Sequence, residues 1–317
     1  MNGCNPFPGG KRYRTLSGYL KERFGCKVFK VPLNGGFTCP NRDGTKGFGG
    51  CSYCSPEKSG EFAGNPAESL AAQFEAMRGV LHKKWRDALY IPYFQAGTNT
   101  YAPVETLRAL FDQALTLPGA VGLRIATRAD CLDAAVLALL EALNKRTYLV
   151  VELGLQTVHD ATAARVNRCH DFAEFLAGYQ ALARRGIAVC VHLINGLPGE
   201  TFPMMLETAR VVGTLSPHAV KIHLLHVLKH TALAADYARG LFEPLTREDY
   251  VGLVCEQLAV LPPSVIIERL TGDGKAADLI APRWSADKFP TLNAIDKTLT
   301  CHGIFQGDRA DAPIFPF

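Results

Sequence analysis

Three cysteines near the N-terminus, Cys39, Cys51 and Cys54, have the residue type and the spacing of a metal centre. Eleven residues separate the first from the second, and two separate the second from the third. Structural zinc sites normally have four protein ligands, whereas a catalytic metal centre keeps one position open. Three thiolates in one glycine-rich loop, with no fourth in register, fit a [4Fe–4S] cluster whose fourth iron binds a group other than protein. The spacing therefore predicts a metal site with one open position.

The composition of the 317-residue chain is that of a globular protein, with 48% hydrophobic and 20% charged residues. No segment approaches the roughly 18 apolar residues of a membrane span, and residues 1–6 lack an apolar signal region. We therefore expect a cytoplasmic protein without a membrane partner. Ten cysteines in such a chain indicate metal ligands and reduced core thiols rather than a disulfide framework.

Basic residues crowd the first sixty positions, although the net charge is only +4. The basic residues are Lys11, Arg12, Arg14, Lys21, Arg23, Lys27, Lys30, Arg42, Lys46 and Lys58, interleaved with Tyr13, Tyr19, Phe24 and Phe29. Basic groups contact phosphates and aromatic rings stack on bases, so this segment suits RNA binding. An extension that packs its aromatic rings on a barrel explains the pattern equally well, and both interpretations stay open here.

Apolar runs of strand length alternate with segments of helical periodicity along the rest of the chain. The predicted strands are Val28–Leu33, Leu89–Phe94, Val121–Ala126, Thr147–Leu155, Ile187–Ile194, Ala219–Leu225 and Ser264–Leu270. The predicted helices are Ala67–Lys83, Val104–Leu115, Ala134–Leu143, Asp160–Val166, Phe172–Arg185, Thr201–Leu215, Thr246–Leu261 and Pro282–Leu299. About six such repeats favour an α/β fold, a partial TIM barrel of (β/α)6 type. We divide the chain into a basic N-terminal extension (1–27), a core barrel (28–245) and a C-terminal helical and strand extension packed on the core (246–317).

The polar motifs follow the predicted strands, and in a parallel barrel the site forms at the C-terminal strand ends. Gly97 and Thr98 follow the second strand and offer backbone and hydroxyl groups to an ammonium or carboxylate ligand, although a helix N-cap at Thr100 also explains this run. Glu152 interrupts the apolar fourth strand, and a buried carboxylate needs a partner or a ligand. Gln156 shares its face, and if that face lines the barrel, Gln156 can bind a ribose hydroxyl.

Later strand ends carry further candidate groups. Arg168 follows the fourth strand in an irregular stretch, and a guanidinium suits bidentate capture of a carboxylate, although a lone Arg is usually a surface charge. The glycines and proline of the run 196–199 allow close backbone approach to a flat adenine ring. Basic side chains after the sixth strand form a candidate substrate site, although any one His is more often structural: Lys221, His223, His226, Lys229 and His230.

Together these motifs resemble the radical S-adenosylmethionine enzymes, and more closely the YhcC/YtqA-type group. The resemblance is carried by the Cys-x11-Cys-x-aromatic-Cys loop, Gly97-Thr98, Gln156 and the turn 196–200, with supporting runs at 39–45, 98–103, 152–156, 270–273 and 281–284. Most members of the superfamily use Cys-x3-Cys-x2-Cys. The longer interval here is similar to the elongator-catalytic-subunit-like branch.

The resemblance implies a role for each matching position. Cys39, Cys51 and Cys54 would bind three irons, and S-adenosylmethionine would chelate the fourth. The implied contacts to the methionine part of this cofactor are Gly97 and Thr98 at the amine and Arg168 at the carboxylate. The implied contacts to its adenosine part are Gln156 at the ribose, Tyr53 near the adenine, and backbone groups of Ile194–Gly196 at the adenine. We also predict Glu152 to be a cofactor-binding residue.

The implied activity is reductive cleavage of S-adenosylmethionine to a 5′-deoxyadenosyl radical that abstracts hydrogen from a substrate. A flavodoxin or ferredoxin-like protein would donate the electron. The branch and the basic N-terminus point to tRNA, and to the side chain of a wobble uridine, as substrate. Two alternatives stay open: a small-molecule or protein substrate, and a non-catalytic zinc or iron–sulfur module with His82 or a distant Cys as fourth ligand.

The remaining cysteines are not closely paired in the sequence, so we do not expect a second cluster. They are Cys4, Cys26, Cys131, Cys169, Cys190, Cys255 and Cys301. Cys190 and Cys255 are expected to pack as small core hydrophobes. Cys131 and Cys169 fall near the predicted rim, where a substrate-handling role is the less favoured interpretation.

Overall fold

The structure is a computed structural model that describes residues 7–272 and 274–310. Cys4, Asp273, and residues 1–6 and 311–317 of the two predicted extensions lie outside the described residues. The chain forms two compact units. The cysteine-loop unit comprises Leu20–Gly154 and Asn167–Cys190, and the C-terminal unit comprises the described residues up to Tyr19, Leu155–Val166 and those from Val191 onward. The predicted division of the chain after residues 27 and 245 was drawn from sequence patterns, whereas the two units are defined by tertiary contacts. That division therefore stays a prediction.

The described residues contain nine strands: β1 (Val28–Leu33), β2 (Leu89–Phe94), β3 (Gly122–Thr127), β4 (Tyr148–Gln156), β5 (Ala188–Asn195), β6 (Ala219–Leu224), β7 (Val227–Leu228), β8 (Ile266–Arg269) and β9 (Leu279–Ala281). Seven form one parallel sheet in the order β1-β2-β3-β4-β5-β6-β8, and β7 pairs antiparallel with β9. Each predicted strand is observed, with ends shifted by at most two residues. The predicted α/β partial TIM barrel is confirmed.

The described residues contain ten α-helices: α1 (Leu16–Phe24), α2 (Leu70–His82), α3 (Val104–Leu115), α4 (Ala134–Asn144), α5 (Asp160–Arg165), α6 (Phe172–Ala183), α7 (Phe202–Leu215), α8 (Ala232–Ala238), α9 (Arg247–Val260) and α10 (Lys288–Cys301). Helices α1 and α8 were not predicted from the sequence. Helix α1 is short, and of its apolar residues only Leu20 is fully buried, while Leu16, Tyr19 and Phe24 are half-buried. The predicted start of the last helix at Pro282 is wrong, because a 3₁₀ turn covers Arg283–Ala286 and the Asp287 side chain then caps α10 by accepting from the Phe289 N–H.

Parallel pairing in the cysteine-loop unit brings several strand ends to one edge. In the β1–β2 register Leu33 lies opposite Phe94, and in the β3–β4 register Thr127 lies opposite Leu153. Phe94 is buried and packs edge-on against Phe111 of α3, with ring centroids 5.1 Å apart. The segments that follow β1, β2 and β3 therefore leave the sheet at the same edge, since parallel strands point the same way.

In the C-terminal unit, the face of β5 that is turned to the helices is fixed by a buried amide pair. Asn195 donates to Gln257 of α9 at 2.8 Å, and Gln257 donates back at 2.9 Å. Because side chains alternate along a strand, His192 and Ile194 lie on the opposite face of β5. In the part of the chain that the structure describes, no helix is long and apolar enough to cross a membrane.

Candidate functional site

The residues between Cys39 and Cys51 form a compact hairpin rather than an open loop. We call residues 39–54 the cysteine loop. The hairpin begins with a hydrogen bond from the Arg42 N–H to the Cys39 carbonyl at 2.8 Å and closes with one from the Gly50 N–H to the Asn41 carbonyl at 2.7 Å. Cys51 is buried, and Cys39 and Cys54 are half-buried. The three cysteines therefore stand on one ordered segment of the cysteine-loop unit.

Arg168 lies beside the cysteine loop. Its Nη1 is 3.8 Å from Cys51 Sγ, and its Nη2 donates to the Gly154 carbonyl at 2.5 Å. The neighbouring Asn167 side chain donates to the carbonyls of Phe48 and Gly50 at 3.1 and 2.8 Å. The structure thus brings Arg168 next to a predicted cluster ligand far away in sequence.

The backbone around Arg168 has an unusual conformation that Arg128 stabilises. Asn167 and Cys169 both have left-handed backbone, with φ of 53° and 55°. Arg128, which follows β3, donates to the carbonyls of Arg168 and Cys169 at 2.9 and 3.2 Å. This contact could not be predicted from the sequence, because it depends on the packing of two distant segments.

Arg128 also forms a buried ion pair with Asp130, at 2.8 Å, and Lys46 of the cysteine loop pairs with the same carboxylate at 2.8 Å. Burial by itself raises the pKa of Asp130, but hydrogen bonds and charge from Arg128 and Lys46 outweigh it and lower that pKa well below its usual range. The result is an ionised carboxylate that connects the third strand end to the cysteine loop.

Gly97 and Thr98 lie against the residues that precede Cys39. The Thr98 N–H donates to the Thr38 carbonyl at 3.0 Å. Gly97 has φ of 79°, and a Cβ there would stand 2.6 Å from the Phe37 carbonyl oxygen. Only glycine fits this close approach of two backbones.

The alternative interpretation of Thr100 as a helix cap is wrong. Helix α3 has Pro103 at its N-cap position, with no side-chain cap. Instead, Thr100 Oγ1 lies 2.5 Å from Thr127 Oγ1 and donates to the Cys131 carbonyl at 2.6 Å, which joins the ends of β2 and β3. These hydrogen bonds can form because the two parallel strands end at the same edge of the sheet.

Tyr53 lies between two predicted cluster ligands and is half-buried. Burial, reinforced by the neighbouring Cys51 and opposed by Arg168, raises the pKa of Tyr53 well above its usual value. Burial and the charge of Cys51 likewise raise the pKa of the free Cys54 thiol, against the opposing charge of Arg42. Tyr53 is therefore a neutral aromatic ring next to the cysteines.

Glu152 has protein partners, as the cost of a buried carboxylate requires. Arg124 Nε on β3 lies 3.1 Å from Glu152 Oε1, and the Tyr93 hydroxyl on β2 donates to Oε2 at 2.6 Å. The three side chains are buried and bridge adjacent strands. Glu152 was predicted from the sequence, whereas its partners Arg124 and Tyr93 were not.

The remaining predicted cofactor contacts belong to the C-terminal unit. Gln156 has φ of 77°, and its buried Oε1 has no hydrogen-bond partner among the described residues. Ile194 is half-buried near the end of β5, and Gly196 has φ of 88°, with its N–H 3.1 Å from Met205 Sδ. Thr157 donates a hydrogen bond to Glu200, whose pKa is raised by burial.

The predicted basic cluster after β6 divides into a buried and an exposed part. Lys221 is buried, and His223 and His226 are half-buried. The ring centroid of His223 lies 5.3 Å from that of His192 on the adjacent strand. Lys229 and His230 are exposed, and the following Thr231 caps α8 by accepting from the Ala234 N–H at 3.2 Å. The structure therefore does not gather the whole predicted cluster into one site.

The basic N-terminal segment packs some of its aromatic residues and exposes some of its charges. Tyr13 is buried, which confirms the packing interpretation for this residue. In the cysteine-loop unit, exposed Arg23 stacks on Tyr148 with its guanidinium 4.5 Å from the ring centroid, and exposed Lys27 lies 5.8 Å from the Trp85 ring centroid.

The side chains present fit an iron–sulfur cluster and an anionic ligand better than a single metal ion. Across residues 7–272 and 274–310, no group of three or more His, Cys, Asp or Glu could hold one metal ion. A zinc site requires such convergence, whereas each thiolate of a cluster binds its own iron. Arg168 Nε is buried without a partner in the described structure, so a cation remains available beside Cys51 for an anionic ligand.

Comparison with known proteins agrees with this geometry. Residues 38–212 match the Radical SAM superfamily, and residues 217–300 match the Radical_SAM C-terminal domain. YtqA of Bacillus subtilis (strain 168) is 52% identical over 306 residues, covering 96% of this chain and 95% of YtqA. YhcC of Escherichia coli (strain K12) is 38% identical over 307 residues, covering 96% and 98%.

Two further similarities are more distant. The tRNA uridine(34) acetyltransferase of Methanocaldococcus infernus is 27% identical over 133 residues, covering 41% of this chain and 25% of that protein. The structure of Methanocaldococcus infernus Elp3 with an N-terminal deletion shares the fold at a TM-score of 0.65 and 19% identity, covering 92% of this chain and 68% of that one. From the family matches and the full-length relatives, the chain belongs to the radical SAM superfamily, in its YhcC/YtqA-type group, and is an enzyme whose cofactors are a [4Fe–4S] cluster and S-adenosylmethionine.

Proposed function

We propose that this radical SAM enzyme modifies the side chain of the wobble uridine in tRNA. When bound, the reduced cluster and S-adenosylmethionine supply a 5′-deoxyadenosyl radical that abstracts hydrogen from the substrate. The observation that carries the choice of tRNA is the partial match to a tRNA uridine(34) acetyltransferase. Fold similarity alone would not support a substrate, because one fold serves many reactions.

The proposed cluster ligands are Cys39, Cys51 and Cys54. Their support is the ordered cysteine loop, together with Arg168 beside Cys51, whose guanidinium retains an unpartnered Nε for the carboxylate of S-adenosylmethionine. Gly97 and Thr98 are proposed for the methionyl amine, because they pack against the residue before Cys39. Glu152 joins this set as a carboxylate oriented by Arg124 and Tyr93.

The proposed adenosine contacts are Tyr53, Gln156, Ile194 and Gly196. Tyr53 offers a neutral aromatic ring beside the cysteines. Gln156 offers an unpartnered buried oxygen that can accept from a ribose hydroxyl. Gly196 has left-handed backbone and no side chain that would keep an adenine ring away from its main chain.

Two partners follow from this function. Radical SAM enzymes require an electron donor, and we propose a flavodoxin or ferredoxin-like protein for this role. The proposed tRNA contact includes exposed Arg23 and Lys27, whose charges lie over the rings of Tyr148 and Trp85. Both residues lie where β1 and β4 begin, at the opposite strand end from the cysteine loop, so they would bind a part of the tRNA away from the reacting uridine.

The test is anaerobic reconstitution, reduction and measurement of 5′-deoxyadenosine with and without bulk tRNA, followed by mass analysis of tRNA nucleosides from a deletion strain. We expect tRNA to stimulate 5′-deoxyadenosine formation and the deletion to change a modified uridine. Normal tRNA nucleosides in the deletion strain, with no stimulation by tRNA, would instead support a small-molecule or protein substrate.

A further inference from the structure

Two side chains that follow Cys39 point their N–H groups at sulfur atoms of the same cysteine loop. Asn41 Nδ2 lies 3.6 Å from Cys51 Sγ, and Arg42 Nη2 lies 3.3 Å from Cys54 Sγ. Hydrogen bonds to sulfur are longer than those to oxygen because the acceptor atom is larger. Both distances are therefore those of N–H···S hydrogen bonds.

The orientation of the Asn41 amide is fixed by a second contact. Its Nδ2 also donates to the main-chain carbonyl of Asn167 at 2.5 Å, and the Asn41 side chain is fully buried. A carbonyl oxygen can only accept, so the amide nitrogen, not the oxygen, faces Asn167 and Cys51. Asn41 is therefore a donor to the Cys51 sulfur.

The Arg42 guanidinium is fixed by the backbone around Cys54. Its Nη2 donates to the carbonyls of Cys54 and Ser55 at 3.1 and 2.5 Å. A Cβ at Gly50 would stand 2.9 Å from Arg42 Nε, so the glycine leaves room for the guanidinium. Arg42 consequently brings a positive charge and a hydrogen bond to the Cys54 sulfur.

The length of the interval between Cys39 and Cys51 makes this arrangement possible. The Lys46 N–H donates to the Pro40 carbonyl at 2.8 Å, and the Gly50 N–H donates to the Asn41 carbonyl at 2.7 Å. These bonds fold the chain back on itself, so that residues just after Cys39 lie beside Cys51 and Cys54. An interval of three residues has no room for such a hairpin.

We propose that Asn41 and Arg42 are positioning residues that raise the reduction potential of the [4Fe–4S] cluster by donating hydrogen bonds to the Cys51 and Cys54 thiolates. Hydrogen bonds to the sulfurs are one of the factors that set cluster potentials. A nearby donor or positive charge stabilises the extra electron of the reduced cluster, so its removal makes reduction harder. The inference rests on the proposed assignment of Cys51 and Cys54 as cluster ligands.

The test is an EPR-monitored redox titration of the anaerobically reconstituted protein, without S-adenosylmethionine, on Asn41→Leu, Arg42→Met and their double variant. Lys46→Met is the matched control, because it removes the same charge from the same loop, and Lys46 pairs with Asp130 and Glu174 instead. Iron and sulfide content are measured for every sample before titration. Asn41→Ser and Arg42→Lys each keep one hydrogen-bond donor. They replace Asn41→Leu and Arg42→Met in the titration if those variants do not take up the cluster.

We expect Asn41→Leu and Arg42→Met each to make the cluster about tenfold harder to reduce, a shift of about 59 mV to lower potential for one electron. The reduction potential of the double variant should be lower still. The potential of Arg42→Lys should lie between those of wild type and Arg42→Met, and that of Lys46→Met should change much less. Unchanged potentials in fully loaded variants, an equal shift in Lys46→Met, or failure of all Asn41 and Arg42 variants to take up iron would overturn the inference. A wild-type protein that binds no cluster would instead contradict the proposed function.

Discussion

Arg128 donates a hydrogen bond from its Nη1 to the main-chain carbonyl of Arg168 at 2.9 Å. This bond connects the end of β3 to the segment that brings Arg168 to Cys51. Arg128 is itself paired with Asp130 in the buried interior. The position of Arg168, which we propose to bind the carboxylate of S-adenosylmethionine, therefore depends on a residue outside the predicted site.

Replacing Arg128 should destabilise the protein far more than replacing an exposed arginine. Arg128→Gln leaves the buried Asp130 without its main partner, and breaking a buried pair from one side costs about 3 kcal/mol or more in free energy of unfolding. Arg146→Gln, which breaks the exposed pair with Asp112, should cost about 1 kcal/mol or less. Denaturant unfolding at neutral pH measures both. Equal losses in the two variants would show that the buried pair has no special role.

The protein should lose stability in mild acid because of His170. Burial, then the charges of Arg168 and Arg128, lower the pKa of His170 to about 3. The unfolded chain, with a histidine pKa of about 6.5, binds this proton more readily, so the stabilisation is complete above pH 6.5 and declines as the pH falls toward 3. Between pH 7 and pH 5 the expected loss is about 2 kcal/mol.

The His170→Gln variant provides the control for this pH dependence. Its free energy of unfolding should fall less than that of wild type over the same interval, because the group that takes up the proton is absent. Parallel curves for the two proteins, recorded by urea unfolding of the metal-free protein, would assign the acid sensitivity to other groups.

Gly97→Ala should disturb the site, whereas Gly79→Ala should not. At Gly97 an added Cβ meets the Phe37 carbonyl and the backbone has φ of 79°, so we expect a cost of about 1–3 kcal/mol and weaker binding of S-adenosylmethionine. At Gly79, inside α2, nothing lies within 4 Å of the added Cβ, and alanine should stabilise the helix by up to about 1 kcal/mol. Thermal unfolding and equilibrium binding of the cofactor measure the two effects. A Gly97→Ala protein with normal binding would argue against a role of this backbone in the site.

If tRNA binds through the exposed basic groups, charge reversal at Arg23 and Lys27 should weaken binding. Each lost phosphate contact should make the negative slope of log affinity against log salt shallower by about 0.7–0.9. Lys297→Glu, on α10 of the C-terminal unit, is the control for a general change of charge. Filter binding across a salt series gives the slopes, and equal effects of all three variants would exclude a specific contact at Arg23 and Lys27.

Much of the fold follows from local pattern. The apolar run that predicted β4 and the alternation with amphipathic helices were sufficient to place every strand of the seven-stranded sheet. Helix α1 was missed because its nine residues interleave a few apolar side chains with basic ones, and the segment was interpreted by its charge. The short strands β7 and β9 were missed because two or three residues give no periodicity to detect.

The site was predictable only where one residue type by itself suggested chemistry. The cysteine spacing and Glu152 stood out in the sequence. Arg124 did not stand out, because its role depends on the carboxylate that it contacts on the neighbouring strand. The β3–β4 register that brings it near Glu152 is set by tertiary structure and cannot be read from the sequence. The same holds for Asn41, whose carboxamide reaches Cys51 only after the hairpin has folded.

Cys39, Cys51 and Cys54 are the proposed ligands of the cluster with which this enzyme cleaves S-adenosylmethionine. The most direct test is 5′-deoxyadenosine release by the anaerobically reconstituted, dithionite-reduced protein, compared with a Cys51→Ala variant of measured iron content. We predict that wild type with about four irons releases 5′-deoxyadenosine and that Cys51→Ala loses both iron and product. Wild-type protein with full iron that releases none, or a Cys51→Ala variant that releases as much, would contradict the claim.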